Sequence, residues 1–384
     1  MEFIEKKAKE LFVCSSGLSK SGDQFGYGYP FLSYSEIFNN YYIPDELLTL
    51  VNSTEKDRIK CSIQRGDVFL TRTSETTDEL GMSCVALKDY PNATFNGFAK
   101  RLRPITDEIL PEYAAYFFRS YYFRAQCMSM ASLITRASLN DGMIERLKIR
   151  YPESKKIQSI IAFFLMRYDR LIKLNNRRIE TLEQMADNLY KEWFVRFRFP
   201  GHENAEFENG IPKGWKVKKI KEIVKRLPFG ILYKAENTES EGEVIVIDQS
   251  QDEFVGFHNN EPSHIASIEK PIALFGDHSC KYQLMITPFS LSENVIPYIG
   301  ASGIHTSYLF YMTKGIIETT EYKRHWTEFV SRKVLVAPIN LQMQFVKILE
   351  SIHSENQILK RKNRNLNKQR DLLLPRLMSG KLEV

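Results

Sequence analysis

The chain has 384 residues, of which 43% are hydrophobic, 26% charged and 12% aromatic. That composition excludes a disordered chain, a collagen-like repeat and a disulfide scaffold, and the length suits two or three domains. The net charge of +6, from 53 Lys+Arg against 47 Asp+Glu, is compatible with a nucleic-acid partner without pointing to one.

The five cysteines (Cys14, Cys61, Cys84, Cys127, Cys280) are odd in number and form no CxxC pair. They read as reduced thiols rather than bridges or a zinc site. The opening MEFIEKKAKE is polar and charged, unlike a signal peptide, and the longest apolar run, near Ile160–Met166, is too short to span a bilayer. A soluble cytoplasmic protein is expected.

Residues 1–152 mix strand-like runs such as Val68-Phe69-Leu70 with a helical stretch at Pro111–Met130, an α+β head. From Glu153 to Phe199 there is neither Pro nor Gly, between Pro152 and Pro200. A 3–4 rhythm runs through it: Ile157, Ile161, Phe164, Tyr168, Leu171, then Asn175 and Arg178, then Leu182, Met185, Leu189. This predicts a coiled-coil seam with a polar interruption, which weakens packing and sets register. Residues 200–338 form a second head, with strand-like Val244–Ile247, Ile272–Phe275 and Val334–Val336. Ile339 to Leu374 again lacks Pro and Gly, ends at Pro375, and carries a seam of Leu341, Phe345, Ile348, Ile352, Glu355, Leu359, Lys362, Leu366, Gln369 and Leu373. The predicted order is head (1–152), helix (153–199), head (200–338), then helix and tail (339–384). Each helix reaches roughly 50–70 Å at 1.5 Å per residue.

The two helices align at an offset of 184: Gln158 with Gln342, Leu165 with Leu349, Arg177 with Arg361, Leu182 with Leu366, Asp187 with Asp371 and Leu189 with Leu373. The preceding segments match more loosely. Lys6–Leu11 resembles Lys218–Ile223, Val68–Leu70 resembles Ile272–Leu274, and Arg136–Pro152 equals Tyr322–Pro338 in length. The chain is thus a duplicated two-part module, too long in period for a solenoid. The expected fold is α+β: two globular domains joined by two long antiparallel coiled-coil helices in a pseudo-twofold repeat. Duplex DNA has matching twofold axes, which paired reading heads exploit. The heads differ in sequence and so would read different half-sites. Glu153–Phe199 holds ten Lys/Arg and six Asp/Glu, and Ile339–Leu374 seven and three. The helices together carry +8, so the remainder nets −2 and phosphate neutralisation in the heads is local.

Motifs for catalysis are missing. Gly26-Tyr27-Gly28 lacks the further glycine and the strand–turn–helix setting of a cofactor loop. The chain contains no Asn-Pro-Pro-Tyr-like tetrad, no GxxxxGK[ST] loop and no GxSxG. Pro44-Asp45 has no convincing acidic-x-Lys partner in a strand context. Asp277-His278-Ser279-Cys280 lacks zinc-site spacing and reads as a polar loop after a strand. No metal and no catalytic residue is expected.

The first helix ends Arg178-Ile179-Glu180-Thr181-Leu182-Glu183-Gln184-Met185-Ala186, then Leu189-Tyr190-Lys191-Glu192-Trp193-Phe194, followed by Ile211-Pro212-Lys213-Gly214-Trp215. The chain closes with Arg370-Asp371-Leu372-Leu373-Leu374-Pro375-Arg376-Leu377-Met378-Ser379-Gly380-Lys381-Leu382. In these segments and in its whole layout the sequence resembles the specificity (S) subunit of type I restriction–modification enzymes. The first head departs from the pattern in starting without an Ile-Pro-x-Gly-Trp segment, so a shortened N-terminal segment is one expectation.

The resemblance implies that each head is a target-recognition domain reading one half of a bipartite double-stranded DNA sequence, and that the helices form a spacer setting the distance between half-sites. It implies two methyltransferase subunits that methylate adenine N6 with S-adenosylmethionine. It also implies restriction subunits, where present, that use ATP and Mg. No cofactor is implied in this chain, and the expected location is the cytoplasm of a bacterium or archaeon, in association with the nucleoid. The rival reading is a stand-alone two-headed DNA-binding protein.

Base edges are read by polar side chains, often from loops. In the first head the candidates follow apolar runs: Ser33, Tyr34 and Ser35, then Thr71, Arg72, Thr73 and Ser74. Arg136, Ser138 and Asn140 lie in a loop that the family layout places near DNA. Their counterparts in the second head are Gln249, Ser250 and Gln251, then Asp277 and His278, then Tyr322, Lys323, Arg324 and His325. For methyltransferase docking the candidates are Asn175 in the polar stretch of the seam, Ile172, Ile179 and Trp193 off the expected seam, and Leu374, Arg376 and Leu377 in the tail.

Overall fold

The computed structural model describes residues 2–74, 76, 77, 79–130, 132, 133, 137–319, 321 and 323–382. The chain divides into two compact units, Met1–Lys173 with Asn363–Val384, and Leu174–Lys362. The boundaries fall inside the long helices, not at their ends as the sequence suggests. The reason is packing: Ile161, Leu165, Leu374 and Leu377 belong to the main core of unit 1, and Ala186, Trp193, Phe345 and Leu349 to that of unit 2.

The two heads repeat one topology. Unit 1 has a four-stranded antiparallel sheet in the order Phe12–Ser16, Ala99–Pro104, Val68–Thr71, Ser83–Val85. Unit 2 has Val224–Arg226, Val295–Gly300, Ile272–Gly276, Tyr282–Met285 in the same order. A second sheet in unit 1 sets Phe25–Leu32 antiparallel to Leu50–Val51 and parallel to Thr94–Phe95. Unit 2 repeats that mixture with Val244–Ile247, Gly256–His258 and Phe289–Leu291. A two-stranded ribbon closes each head, Phe3–Lys7 on Lys148–Pro152 and Lys216–Lys219 on Lys333–Val336. The loose sequence matches between the heads therefore reflect a shared strand order.

The long helices are Lys155–Tyr190, of 36 residues, and Ile339–Met378, of 40 residues. The first passes into a π-turn at Lys191–Val195 rather than running to Phe199. The second continues through Pro375, where the sequence predicts its end. Proline removes its own N–H and crowds the carbonyl four residues back, and the helix runs only three residues beyond it, to Met378. Gly380 closes the tail at φ +74°, where a Cβ would lie 2.7 Å from the Phe3 ring. In unit 2 Arg178 meets Glu355 at 3.0 Å and Trp193 packs on Phe345, so the two segments run antiparallel. Arg178 and Glu355 are among the predicted polar interruptions of the two seams, and they pair with each other.

The predicted seam holds at Ile161, but every second seam position is displaced by one residue. Phe164, Leu171 and Met185 are exposed, whereas Leu165, Ile179 and Ala186 are buried. Apolar doublets such as Phe163-Phe164 and Leu171-Ile172 satisfy a 3–4 rhythm in either phase. The true face is also marked by small and polar residues, including Ala162 and a fully buried Gln158.

The Ile211–Trp215 segment gains a clear role. Phe207–Glu208 and Ile211–Pro212 form a hairpin whose turn, Asn209-Gly210, has positive φ at both residues, as a tight two-residue hairpin turn requires. Trp215 then packs on Phe194, Phe197 and Phe199. This tethers the second head to the end of the first long helix.

Candidate nucleic-acid interface

In unit 1 the chain leaves the buried strand Val68–Thr71, passes Arg72, and forms the short strand Thr73–Ser74. Ala137–Ser138 pairs with it, Ala137 opposite Ser74 and Ser138 opposite Thr73. The Leu139 N–H donates to the Arg72 carbonyl at 2.8 Å, and the Tyr34 hydroxyl donates to the Thr73 carbonyl at 3.0 Å. Tyr34, Arg72, Thr73, Ser138 and Asn140 are thereby brought to one surface. An open concavity of about 660 Å³ there is lined by Arg72, Thr73, Lys100, Ser138, Leu139, Asn140, Asp141 and Gly142.

Several predicted residues serve the scaffold instead. Thr71 is fully buried, accepting from the Met82 N–H and donating to the Glu79 carbonyl. Ser74 is buried and donates to the Glu79 carboxylate at 2.6 Å. Ser33 caps the helix Tyr34–Asn39 in a reciprocal capping box with Glu36. Ser35 is exposed and accepts from Asn39 at 3.1 Å. Asn140 is exposed, but its side-chain oxygen caps the turn at Met143. Arg136 lies outside the described residues.

Sequence reasoning missed two cations here. Lys100 is buried in mid-strand, its ammonium 2.5 Å from Asp141 and 2.7 Å from the Ser16 hydroxyl. Arg119 donates to the carbonyls of Ile37, Phe38, Asn40 and Ser83, and its burial pulls the guanidinium down to about 10. It satisfies the open end of the helix that carries Tyr34. Burial raises the Tyr34 phenol, which keeps it a neutral donor.

In unit 2, Asp277 follows the buried strand Ile272–Gly276. It is buried and not a surface reader: one carboxylate oxygen accepts from the N–H groups of His325, at 3.1 Å, and Trp326, at 2.9 Å. This caps the helix Trp326–Ser331 and joins two of the predicted loops. His325 is likewise 1% exposed, beneath Thr319 and Glu321. Polar type alone does not separate such caps from surface readers. Arg324 and Lys323 are exposed, Arg324 lying 3.9 Å from Asp277 and Lys323 3.4 Å from Glu321. Tyr322 lies outside the described residues.

The third predicted loop joins the same region. The Gln249 side chain accepts from the His278 N–H at 3.3 Å. Ser250 donates to Asp248 at 2.7 Å, and Lys281 reaches the carbonyls of Asp248 and Asp252. Gln251 is exposed. A concavity of about 470 Å³ is lined by Arg226, Phe229, Leu232, Asp277, Glu293, Asn294, Ile296, Arg324, Trp326 and Thr327. Arg226, which stacks on Phe229 at 4.7 Å, carries no sequence signal beyond its charge.

The docking residues need more correction. Ile179 and Trp193 are buried in the core of unit 2, and Leu374 and Leu377 in that of unit 1. Ile172 and Asn175 are half-buried, and Arg376 alone of the set is exposed. The apolar side chains left outside are Phe163, Phe164, Leu171 and Leu372 in unit 1, and Leu174, Met185, Ile339, Met343, Ile348 and Ile358 in unit 2.

Among the described residues no group of three or more His, Cys, Asp or Glu is placed to hold a metal ion. No described helix is long and apolar enough to cross a membrane.

Two α+β units of one topology, each built on segments of two long helices and each with a polar loop cluster beside a buried strand, define a duplicated recognition protein. Residues 2–184 match the family described as "Type I restriction modification DNA specificity domain". The chain is similar to the type I restriction enzyme MjaIX specificity subunit of Methanocaldococcus jannaschii, 25% identical over 99% of this chain and 93% of the relative. It is also similar to the putative MjaX specificity subunit of that organism, 22% identical over 97% of this chain and 92% of the relative. A crystal structure of the type I restriction–modification S subunit from M. genitalium shares the fold, with a TM-score of 0.55 and 14% identity, covering 98% of this chain and 96% of that one. Over nearly its whole length the chain is thus similar to specificity subunits of type I restriction–modification enzymes, and its residues 2–184 match their DNA specificity domain.

Proposed function

We propose that each unit reads one half of a bipartite duplex DNA target, unit 1 through the loops around Arg72 and Ser138 and unit 2 through those around Gln249 and Arg324. The observation that carries this reading is the repeated strand order bearing different loop residues: one scaffold used twice, with two specificities. Methyltransferase subunits then dock on the exposed apolar helix faces and methylate adenine N6 in each half-site. S-adenosylmethionine belongs to those subunits, and ATP and Mg to restriction subunits where they join. The assembly works in the cytoplasm, on chromosomal or incoming DNA.

The test is a map of methylated adenines in DNA modified by the assembled complex. A two-part motif with an unread gap is expected. A single uninterrupted motif, or methylation by the isolated chain, overturns the proposal.

A further inference from the structure

We propose that unit 1 reads a G·C base pair, with Arg72 donating to guanine O6 and N7 and Asp141 accepting from the cytosine N4 amino group; this rests on the reading of unit 1 as a DNA-reading head. The two side chains line the same open concavity, and their chemistry is one-sided. A guanidinium only donates and an ionised carboxylate only accepts.

Arg72 is placed by its backbone. Its N–H donates to the Phe98 carbonyl at 3.1 Å, and its carbonyl accepts from Leu139 at 2.8 Å. Its Nε is buried and has no hydrogen-bond partner among the described residues. Among the described residues, no acceptor therefore ties the guanidinium down through Nε.

Asp141 is held from one side. Its Oδ1 takes the Lys100 ammonium at 2.5 Å and the Cys14 thiol at 3.8 Å. Lys100 is buried and also tied to Ser16, so it orients the carboxylate rather than reaching for DNA. Oδ2 takes neither of these bonds, and the side chain is 53% exposed.

In the major groove guanine offers two neighbouring acceptors and its cytosine partner an amino donor. A donor-only fork beside an acceptor-only carboxylate matches that order. Adenine instead sets its N6 amino donor beside N7, so a forked guanidinium meets one acceptor and one donor.

The experiment uses the complete complex with its methyltransferase subunits and maps methylated adenines made by the wild-type chain, Arg72→Ala and Asp141→Asn. Arg72→Ala is expected to make one G·C position degenerate, lowering the preference there by about 5- to 150-fold and leaving the other half-site unchanged. Asp141→Asn is expected to relax the same base pair. An unchanged motif, or relaxation at an A·T position, overturns the proposal. A variant that fails to assemble does not stop the test, because the wild-type complex decides it with 7-deazaguanine, which lacks N7, placed at each guanine of the half-site in turn. One position is expected to lose methylation rate about 5-fold or more, and equal rates at every guanine overturn the proposal. A wild-type complex that leaves no two-part motif overturns the underlying reading, and the inference with it, a result distinct from each of the others.

Discussion

Asp169 and Arg370 stand 201 residues apart in the chain and form a 2.5 Å carboxylate–guanidinium bond, with side chains 11% and 12% exposed. The Tyr116 hydroxyl donates to the same carboxylate, and Arg370 lies 4.8 Å from the centre of the Tyr41 ring. Within unit 1 this network joins the first long helix, the second long helix and the head. Removing one partner leaves a nearly buried charge unpaired. Arg370→Ala is expected to cost about 3–5 kcal/mol, and the double variant Asp169→Leu/Arg370→Leu clearly less. Urea unfolding of the full chain measures both. A double variant as unstable as the single one contradicts this account.

Gln158 and Gln342 are repeat equivalents with unequal duties. Gln158 donates to the Glu108 and Pro152 carbonyls and accepts from the Leu110 N–H, each at 2.8 Å. Gln342 donates to the Ala337 carbonyl at 2.8 Å, and its buried side-chain oxygen has no partner among the described residues. Gln158→Leu strands three backbone groups, one buried and two partly buried, and is expected to cost about 3 kcal/mol; Gln342→Leu strands one and costs about 1 kcal/mol. Equal costs from denaturant curves would show that repeat position, not bonding, sets the penalty.

Unit 2 is expected to be acid-sensitive. Burial, with Lys360 adding to it, pushes the His353 imidazole down to about 4, against about 6.5 in an unfolded chain. Between those values the unfolded state binds a proton that the folded state refuses. Stability is therefore full above about pH 6.5 and falls as the pH drops toward 4, by about 3 kcal/mol for this group. Burial also holds His258, His264 and His305 below their ordinary value, which adds in the same direction. Trp193, Trp215 and Trp326 all lie in unit 2, so tryptophan fluorescence of the full chain reports on it. His353→Leu should flatten part of the slope of the urea midpoint between pH 7 and 5; an unchanged slope removes His353 from the explanation.

The helices and the duplication were legible in the sequence, because they rest on periodicity and on the absence of Pro and Gly. The phase of the helix seam was not. Phe163-Phe164 and Leu171-Ile172 offer two faces, and tertiary packing chose the one with Ala162 and Gln158. In the candidate interface, Arg72, Thr73 and Ser138 were legible as polar residues at the ends of apolar runs. Thr71, Asp277 and His325 share that description and are buried, since a cap and a surface reader look alike until their partners are known. Lys100 sits inside the strand Ala99–Pro104, where nothing local announces a buried ammonium. Its partner Asp141 lies 41 residues away in sequence.

Arg324 contrasts with Arg72. Its side chain is 78% exposed and only loosely paired, at 3.9 Å from Asp277. An exposed, loosely paired cation suits a phosphate better than a base edge. Arg324→Ala is expected to weaken binding of the complex to all DNA sequences alike and to lower the salt slope of binding by about one. A changed methylation motif would instead make Arg324 a base reader.

The corrected helix phase separates folding from docking. Ile161 and Leu165 are fully buried in unit 1, while their neighbours Phe163 and Phe164 are 57% and 46% exposed. Leu165→Ala removes packed volume from the core and should cost about 2–5 kcal/mol. The double variant Phe163→Ser/Phe164→Ser removes little that the chain itself buries and should stay within about 1 kcal/mol of the wild type, two surface changes of up to about 0.5 kcal/mol each. Exposed apolar side chains grouped on a helix mark interaction sites, so the same double variant should lose at least tenfold in affinity for the methyltransferase subunit. Denaturant midpoints and a pull-down titrated with purified methyltransferase give the two readouts. A folded variant with undiminished affinity would show that this face serves another contact. An unfolded one, beside a stable Leu165→Ala, would return the seam to the phase that the sequence rhythm suggests.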